Sequence, residues 1–198
     1  NYFPMIVNSD ERQWGWMDEG LDTFMQYLAE QEFGEAYPAA IEGLDKYPSR
    51  RGAPSAIVPY MAGDQSYIAP IMSNPENVYQ LGPNAYAKPA TALNILRETV
   101  MGRELFDHAF KTYAQRWMFK HPTPEDFFRT MEDASAVDLD WFWRSWFYTT
   151  DYVDIGVGEV KSYYVSNEPT PEMKEYMAAN GLTEADLPPL VYLADLNA

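Results

Sequence analysis

The chain contains no cysteine, which rules out disulfide staples, thiolate metal sites and a thiol nucleophile, and leaves the compartment open. It has only two histidines, His108 and His121. One falls in an amphipathic helical stretch and the other in a proline-flanked loop, so a histidine-rich metal site cannot be assembled from this chain alone. No glycine-rich phosphate loop is present, and no serine sits in a Gly-x-Ser-x-Gly elbow. No apolar run reaches the length of a membrane span, and no signal-peptide pattern is visible in it. Basic residues are scarce. With 14 Lys and Arg against 30 Asp and Glu, the formal net charge is −16, which argues against a nucleic-acid partner and against docking on anionic lipid. The acid excess fits either a self-repelling soluble surface or a cleft that receives cationic groups.

What the chain does have is a core. Hydrophobic residues make up 46% and aromatic residues 16%, more than a disordered segment carries, so it should fold. It opens without a methionine on Asn1-Tyr2-Phe3-Pro4-Met5-Ile6-Val7, an aromatic start that suggests a cut within a larger protein. Beyond Trp14-Gly15-Trp16-Met17-Asp18-Glu19-Gly20, the spacing of Leu21, Met25 and Leu28, widened by Phe24, predicts a buried helix face ending near Glu35. Residues 36–84 are punctuated by proline and glycine, which predicts short helices in long connections. Pro89 suits a first helical turn, and Leu93, Leu96 and Val100 then share a face. After Gly102, a helical period runs through Leu105, Phe106, Phe110, Tyr113 and Trp117. His121-Pro122-Thr123-Pro124-Glu125-Asp126 is a helix-start signal: Thr123 can cap, Pro124 fits the first position, and the acids oppose the dipole. Another helix is expected from Asp138, a strand from Val153, Ile155 and Val157, and a capped helix over 171–180 before Gly181.

Two spots could carry chemistry. Asp18 and Glu19 open a helix, where acids favour the dipole without any further role. Tyr86 stands just ahead of a helix start, where a tyrosine commonly packs with its hydroxyl in solvent. Read from the residues alone, both remain open.

The motifs add to this reading. Asn1-Tyr2-Phe3-Pro4 followed by Trp16-Met17-Asp18-Glu19-Gly20 resembles the segment of aminopeptidase N-like zinc metallopeptidases (gluzincins) that follows their His-Glu-x-x-His helix. In that family an eighteen-residue spacer separates the second histidine from the glutamate. A histidine directly before Asn1 would make residues 1 to 18 that spacer. Tyr86-Ala87-Lys88-Pro89-Ala90 resembles the family's Tyr-x-Lys-Gly-Ala motif, with proline where glycine is more usual. Phe119 to Phe127 resembles a later helix-loop-helix. The resemblance covers about residues 1 to 150.

It implies a mainly α fold, the helical lobe of a thermolysin-like metallopeptidase domain over 1–151, with a short β-containing C-terminal extension over 152–198. It implies Glu19 as third zinc ligand, Tyr86 as stabiliser of the oxyanion, and peptide substrates in the parent enzyme. The zinc histidines, the general base and the Gly-x-Met-Glu-Asn-type motif that holds the substrate amine are not in this chain. Zinc is therefore expected to be weakly bound or absent here, and the chain inactive alone. Family habit suggests an extracytoplasmic bacterial enzyme. Loss of the preceding lobe should expose Tyr2, Phe3 and the cleft around Tyr86, with self-association there. The rival reading is a non-catalytic acidic helical binding module whose Trp141–Tyr148 segment forms an aromatic ligand platform. That reading requires at least two of Trp141, Trp143 and Trp146 to face solvent together.

Overall fold

Proline and glycine set most of the helix boundaries. The computed structural model describes residues 2–42, 54–153, 155–160, 163–164, 169–183, 186 and 192–193. The chain divides into two units, Asn1–Tyr152 and Val153–Ala198. In the first, a 3-10 turn over Gly15–Met17 leads into α1 (Glu19–Ala36). Next come α2 (Pro38–Ile41) and α3 (Val58–Met61), each with proline in its first turn, and short 3-10 turns at Pro54–Ile57, Gln65–Tyr67 and Pro75–Asn77. Short helices in a punctuated stretch are what the sequence predicts for residues 36–84, of which 43–53 lie outside the described residues.

A π-helical turn, Gly82–Ala87, runs directly into α4 (Lys88–Ile95), which continues as a second π turn, Leu96–Val100. Gly102, at φ 82°, reverses the chain into α5 (Arg103–Trp117), a conformation that costs glycine least. The bend is held by Arg97, whose Nε and Nη2 donate to the two Asp107 oxygens at 2.7 and 2.9 Å. α6 (Pro124–Ser135) starts as predicted, with a capping box between Thr123 and Asp126. It ends on Ala136 in the left-handed region, φ 56°. α7 (Asp140–Trp143) passes into a third π turn, Arg144–Tyr148. It begins later than Asp138 because that side chain accepts the Asp140 N–H at 3.1 Å, forming a turn ahead of the helix.

The core is a continuous aromatic stack. Trp16, wholly buried, meets Phe147 at 4.7 Å and lies parallel to Phe128 at 5.8 Å. Phe127 meets Tyr113 edge-on at 4.7 Å, and Phe24 meets Phe106 at 5.3 Å. Each such pair contributes about 0.5–1.5 kcal/mol beyond the area it buries.

Three expectations are corrected here. Phe3 is only 2% exposed, because its ring packs on Phe110 and Tyr113; it is part of the core and not a surface bared by a cut. On α1, Leu21 and Phe24 are buried and Leu28 packs against the core as expected, but Met25 is 41% exposed and Thr23 and Tyr27 are buried instead. The Trp141–Tyr148 segment is not a platform. Phe142, Trp143 and Phe147 are buried, Trp146 packs against the core, and among the three tryptophans Trp141 is the exposed one.

In the second unit, α8 (Pro171–Asn180) is capped by the Thr170 hydroxyl, which accepts the Met173 N–H, and it ends on Gly181 at φ 66°, as the sequence predicts. β1 (Tyr163–Tyr164) pairs antiparallel with β2 (Tyr192–Leu193) in the register Tyr163↔Leu193. The strand expected from Val153, Ile155 and Val157 is not formed. Residues 151–153 and 155–160 carry no strand, and those three side chains are exposed, so an alternating pattern has no pairing edge among the described residues. No described helix is long and apolar enough to cross a membrane.

Candidate metal and peptide site

Glu19 is the first residue of α1, and its place is fixed on three sides. Ahead of it, Trp16 and Met17 are fully buried, and behind it Leu21 and Phe24 are too. Beside it, Gly20 touches the Tyr86 segment. A Cβ on Gly20 would lie 2.7 Å from Pro89 Cγ, 2.9 Å from Pro89 Cβ and 3.1 Å from the Ala85 carbonyl. That close approach joins the start of α1 to the π turn bearing Tyr86, and it requires glycine. π turns are rare and recur at functional sites, because the extra residue re-aims a side chain.

The outcome is a cavity of about 850 Å³ lined by both Glu19 and Tyr86. Along α1, its wall is formed by Glu19, Asp22, Thr23 and Gln26, spaced as one face of a helix. Met25, Ala114 and Met118 supply apolar lining. Glu19 is half-buried, and among the described residues no ion pair or hydrogen bond occupies its carboxylate. The structure therefore brings together the two residues that the sequence singled out.

The surroundings are strongly acidic. Asp18, 8% exposed, has its pKa pushed up to about 8. Burial is the main cause, followed by a hydrogen bond with the Glu11 carboxyl and by the charges of Glu19, Glu11 and Asp22. Lys88, two residues beyond Tyr86, is 2% exposed and its Nζ has no hydrogen-bond partner. Burial pushes the pKa of this amine down.

Neither histidine lines this cavity. His108 is exposed, and His121, also exposed, meets the Asn8 carbonyl through Nδ1 at 3.0 Å. What the cavity offers a metal is oxygen, from the Glu19 carboxylate. A carboxylate fits one position of a catalytic zinc site, whose imidazole ligands must come from elsewhere.

Sequence reasoning missed one carboxylate cluster. Glu132, Asp138 and Asp140 place one oxygen each within 4.8 Å of one another, where α6 gives way to α7. Glu132 Oε1 there accepts the Leu139 N–H at 2.9 Å, and both aspartates are exposed. The group closes the turn between the helices. Asp-x-Asp spacing is its sequence signal, too common to mark a site.

No curated protein and no solved structure matches the chain. Residues 6–146, however, match the model of the Peptidase family M1 domain. This span contains Glu19, Tyr86 and the capped start of α6, and it ends within the last aromatic turn of the first unit. The chain is thus part of a metallopeptidase catalytic domain and belongs to peptidase family M1.

Proposed function

We propose that this chain supplies one metal ligand and one oxyanion donor to a zinc aminopeptidase, and that it cleaves nothing by itself. The observation that carries this reading is the shared cavity of Glu19 and Tyr86, joined through the contact of Gly20 with Pro89 and Ala85. Glu19 would hold zinc as the third protein ligand, with two imidazoles from a preceding His-Glu-x-x-His helix completing the protein's share. Bound zinc supplies a Lewis acid and lowers the pKa of its water.

Of the remaining chemistry, the general base lies outside this chain, and the chain's own share is the oxyanion donor. As a peptide carbonyl is attacked, negative charge gathers on its oxygen, and the Tyr86 hydroxyl donates a hydrogen bond to it. Loss of one such donor costs about 3–4 kcal/mol at the transition state. The acidic wall of Asp22 and Glu19 favours a cationic group nearby, in keeping with a substrate that carries a free α-amine. Removal of N-terminal residues, rather than internal cleavage, follows from the resemblance to aminopeptidase N-like enzymes.

The test uses the full-length peptidase and this chain side by side. In the full-length enzyme, Glu19→Gln should lose zinc. Tyr86→Phe should keep zinc and lower kcat about 10²–10³-fold on an aminoacyl chromogenic substrate. This chain alone should not turn that substrate over. Chelator-sensitive hydrolysis by the chain, or a Glu19→Gln enzyme that retains its metal, would overturn the proposal.

A further inference from the structure

The stretch ahead of α1 is tied down from two directions. On one side, the Ile6 carbonyl accepts the Phe119 N–H at 2.7 Å, and the Asn8 N–H donates to the Lys120 carbonyl at 3.0 Å. These bonds anchor residues 6–8 to the connection between α5 and α6. On the other side, the Phe3 N–H donates to Asp22 Oδ1 at 3.3 Å. Asp22 lies three residues beyond Glu19, about 4.5 Å along the helix axis, and both line the same cavity. The Phe3 ring meanwhile packs against Phe110 and Tyr113, and the bond to Asp22 is the tie from its backbone to α1.

We infer that Asp22 is a positioning residue for the metal centre. By accepting the Phe3 N–H, it holds the Tyr2–Phe3 segment and α1 at one separation. This inference rests on the proposed function, because Tyr2–Phe3 is where a helix carrying the zinc histidines would enter. A ligand set split between two chain segments needs those segments fixed to a few tenths of an ångström. Partners that orient metal ligands without touching the metal are worth about 10–100-fold in affinity. Asp22 acts on one half of the set, through Phe3, while sharing a helix turn with the other half. The role proposed is that of a hydrogen-bond acceptor toward the Phe3 N–H. Asparagine, which keeps the acceptor oxygen, should therefore serve in its place.

The experiment has two readouts. In this chain, amide exchange at Phe3 should speed up at least about tenfold in Asp22→Ala and stay within about threefold of wild type in Asp22→Asn. In the full-length peptidase, the zinc Kd from chelator competition should rise at least about tenfold in Asp22→Ala and change less than about threefold in Asp22→Asn. Asp22→Leu, of the same branched shape and without an acceptor, replaces the alanine variant should that one fold poorly, and it should behave in the same way. Unchanged Phe3 exchange, or wild-type zinc affinity, in the variants lacking an acceptor overturns the inference. So does an Asp22→Asn enzyme as weak as Asp22→Ala, since charge would then be the cause. Glu19→Gln separates the two readings. If it keeps zinc, the ligand assignment fails, whatever Phe3 exchange shows.

Discussion

Replacing Gly20 by alanine tests the contact on which the site is built. The new methyl carbon would lie 2.7 and 2.9 Å from two carbons of the Pro89 ring and 3.1 Å from the Ala85 carbonyl oxygen. None of these is the end of a flexible side chain. A proline ring and a backbone carbonyl can give way only if α4 moves off α1. Overpacking of this kind costs about 1–3 kcal/mol, and rigid neighbours put it toward the upper end. Alanine in a helix returns at most about 1 kcal/mol relative to glycine. The net loss is about 1–2 kcal/mol, a fall in Tm of roughly 2–8 °C for a chain of this size. Urea denaturation followed by tryptophan fluorescence would measure it. A double-mutant cycle with Pro89→Gly, the residue more usual at that place in the resembled motif, should recover at least about 1 kcal/mol as coupling energy. If Gly20→Ala unfolds at or above the wild-type midpoint, the close approach does not constrain the site and the reasoning is wrong.

Lys88→Met should stabilise the chain near neutral pH by about 1–4 kcal/mol, as with other buried charges exchanged for apolar side chains of similar volume. Burial holds the Lys88 pKa below its ordinary 10.5. Between the folded value and 10.5, the unfolded chain binds more protons, so wild-type stability rises with pH across that window. The methionine variant should lose that rise, and denaturation at pH 7 and pH 10 compares the two. Ala136→Gly relieves a left-handed alanine at φ 56° and should raise the urea midpoint by the equivalent of about 1 kcal/mol. No change there would mean that the turn holds alanine without strain.

Much of this architecture was legible from local chemistry. The Thr123-Pro124-Glu125-Asp126 start and the 171–180 helix followed the text of the sequence because caps are short-range and self-contained. The extent of α1 was legible for the same reason. Leu21, Phe24 and Leu28 of its buried face were legible too, but the exposure of Met25 and burial of Tyr27 were not, since packing against other helices decides them. The 153–157 stretch shows the opposite failure. Alternation states what a strand could bury, but a strand needs an edge to pair with. Glu19 and Tyr86 were each visible as a motif, yet neither Gly20 nor Pro89 announced that the two segments meet. The π turn carrying Tyr86 and the tie from Phe3 to Asp22 left no signal in the sequence, because both arise from tertiary fit.

The buried ring system around Trp16 bears on how the site comes to exist in time. Three residues before Glu19, an indole is clamped between two phenylalanines, so if Glu19 holds a metal as proposed, the start of its helix should already be packed before the ion arrives. Metal uptake by a frame already rigid should proceed without a slow conformational phase. Stripping the metal from the whole enzyme should then leave this lobe standing as it was.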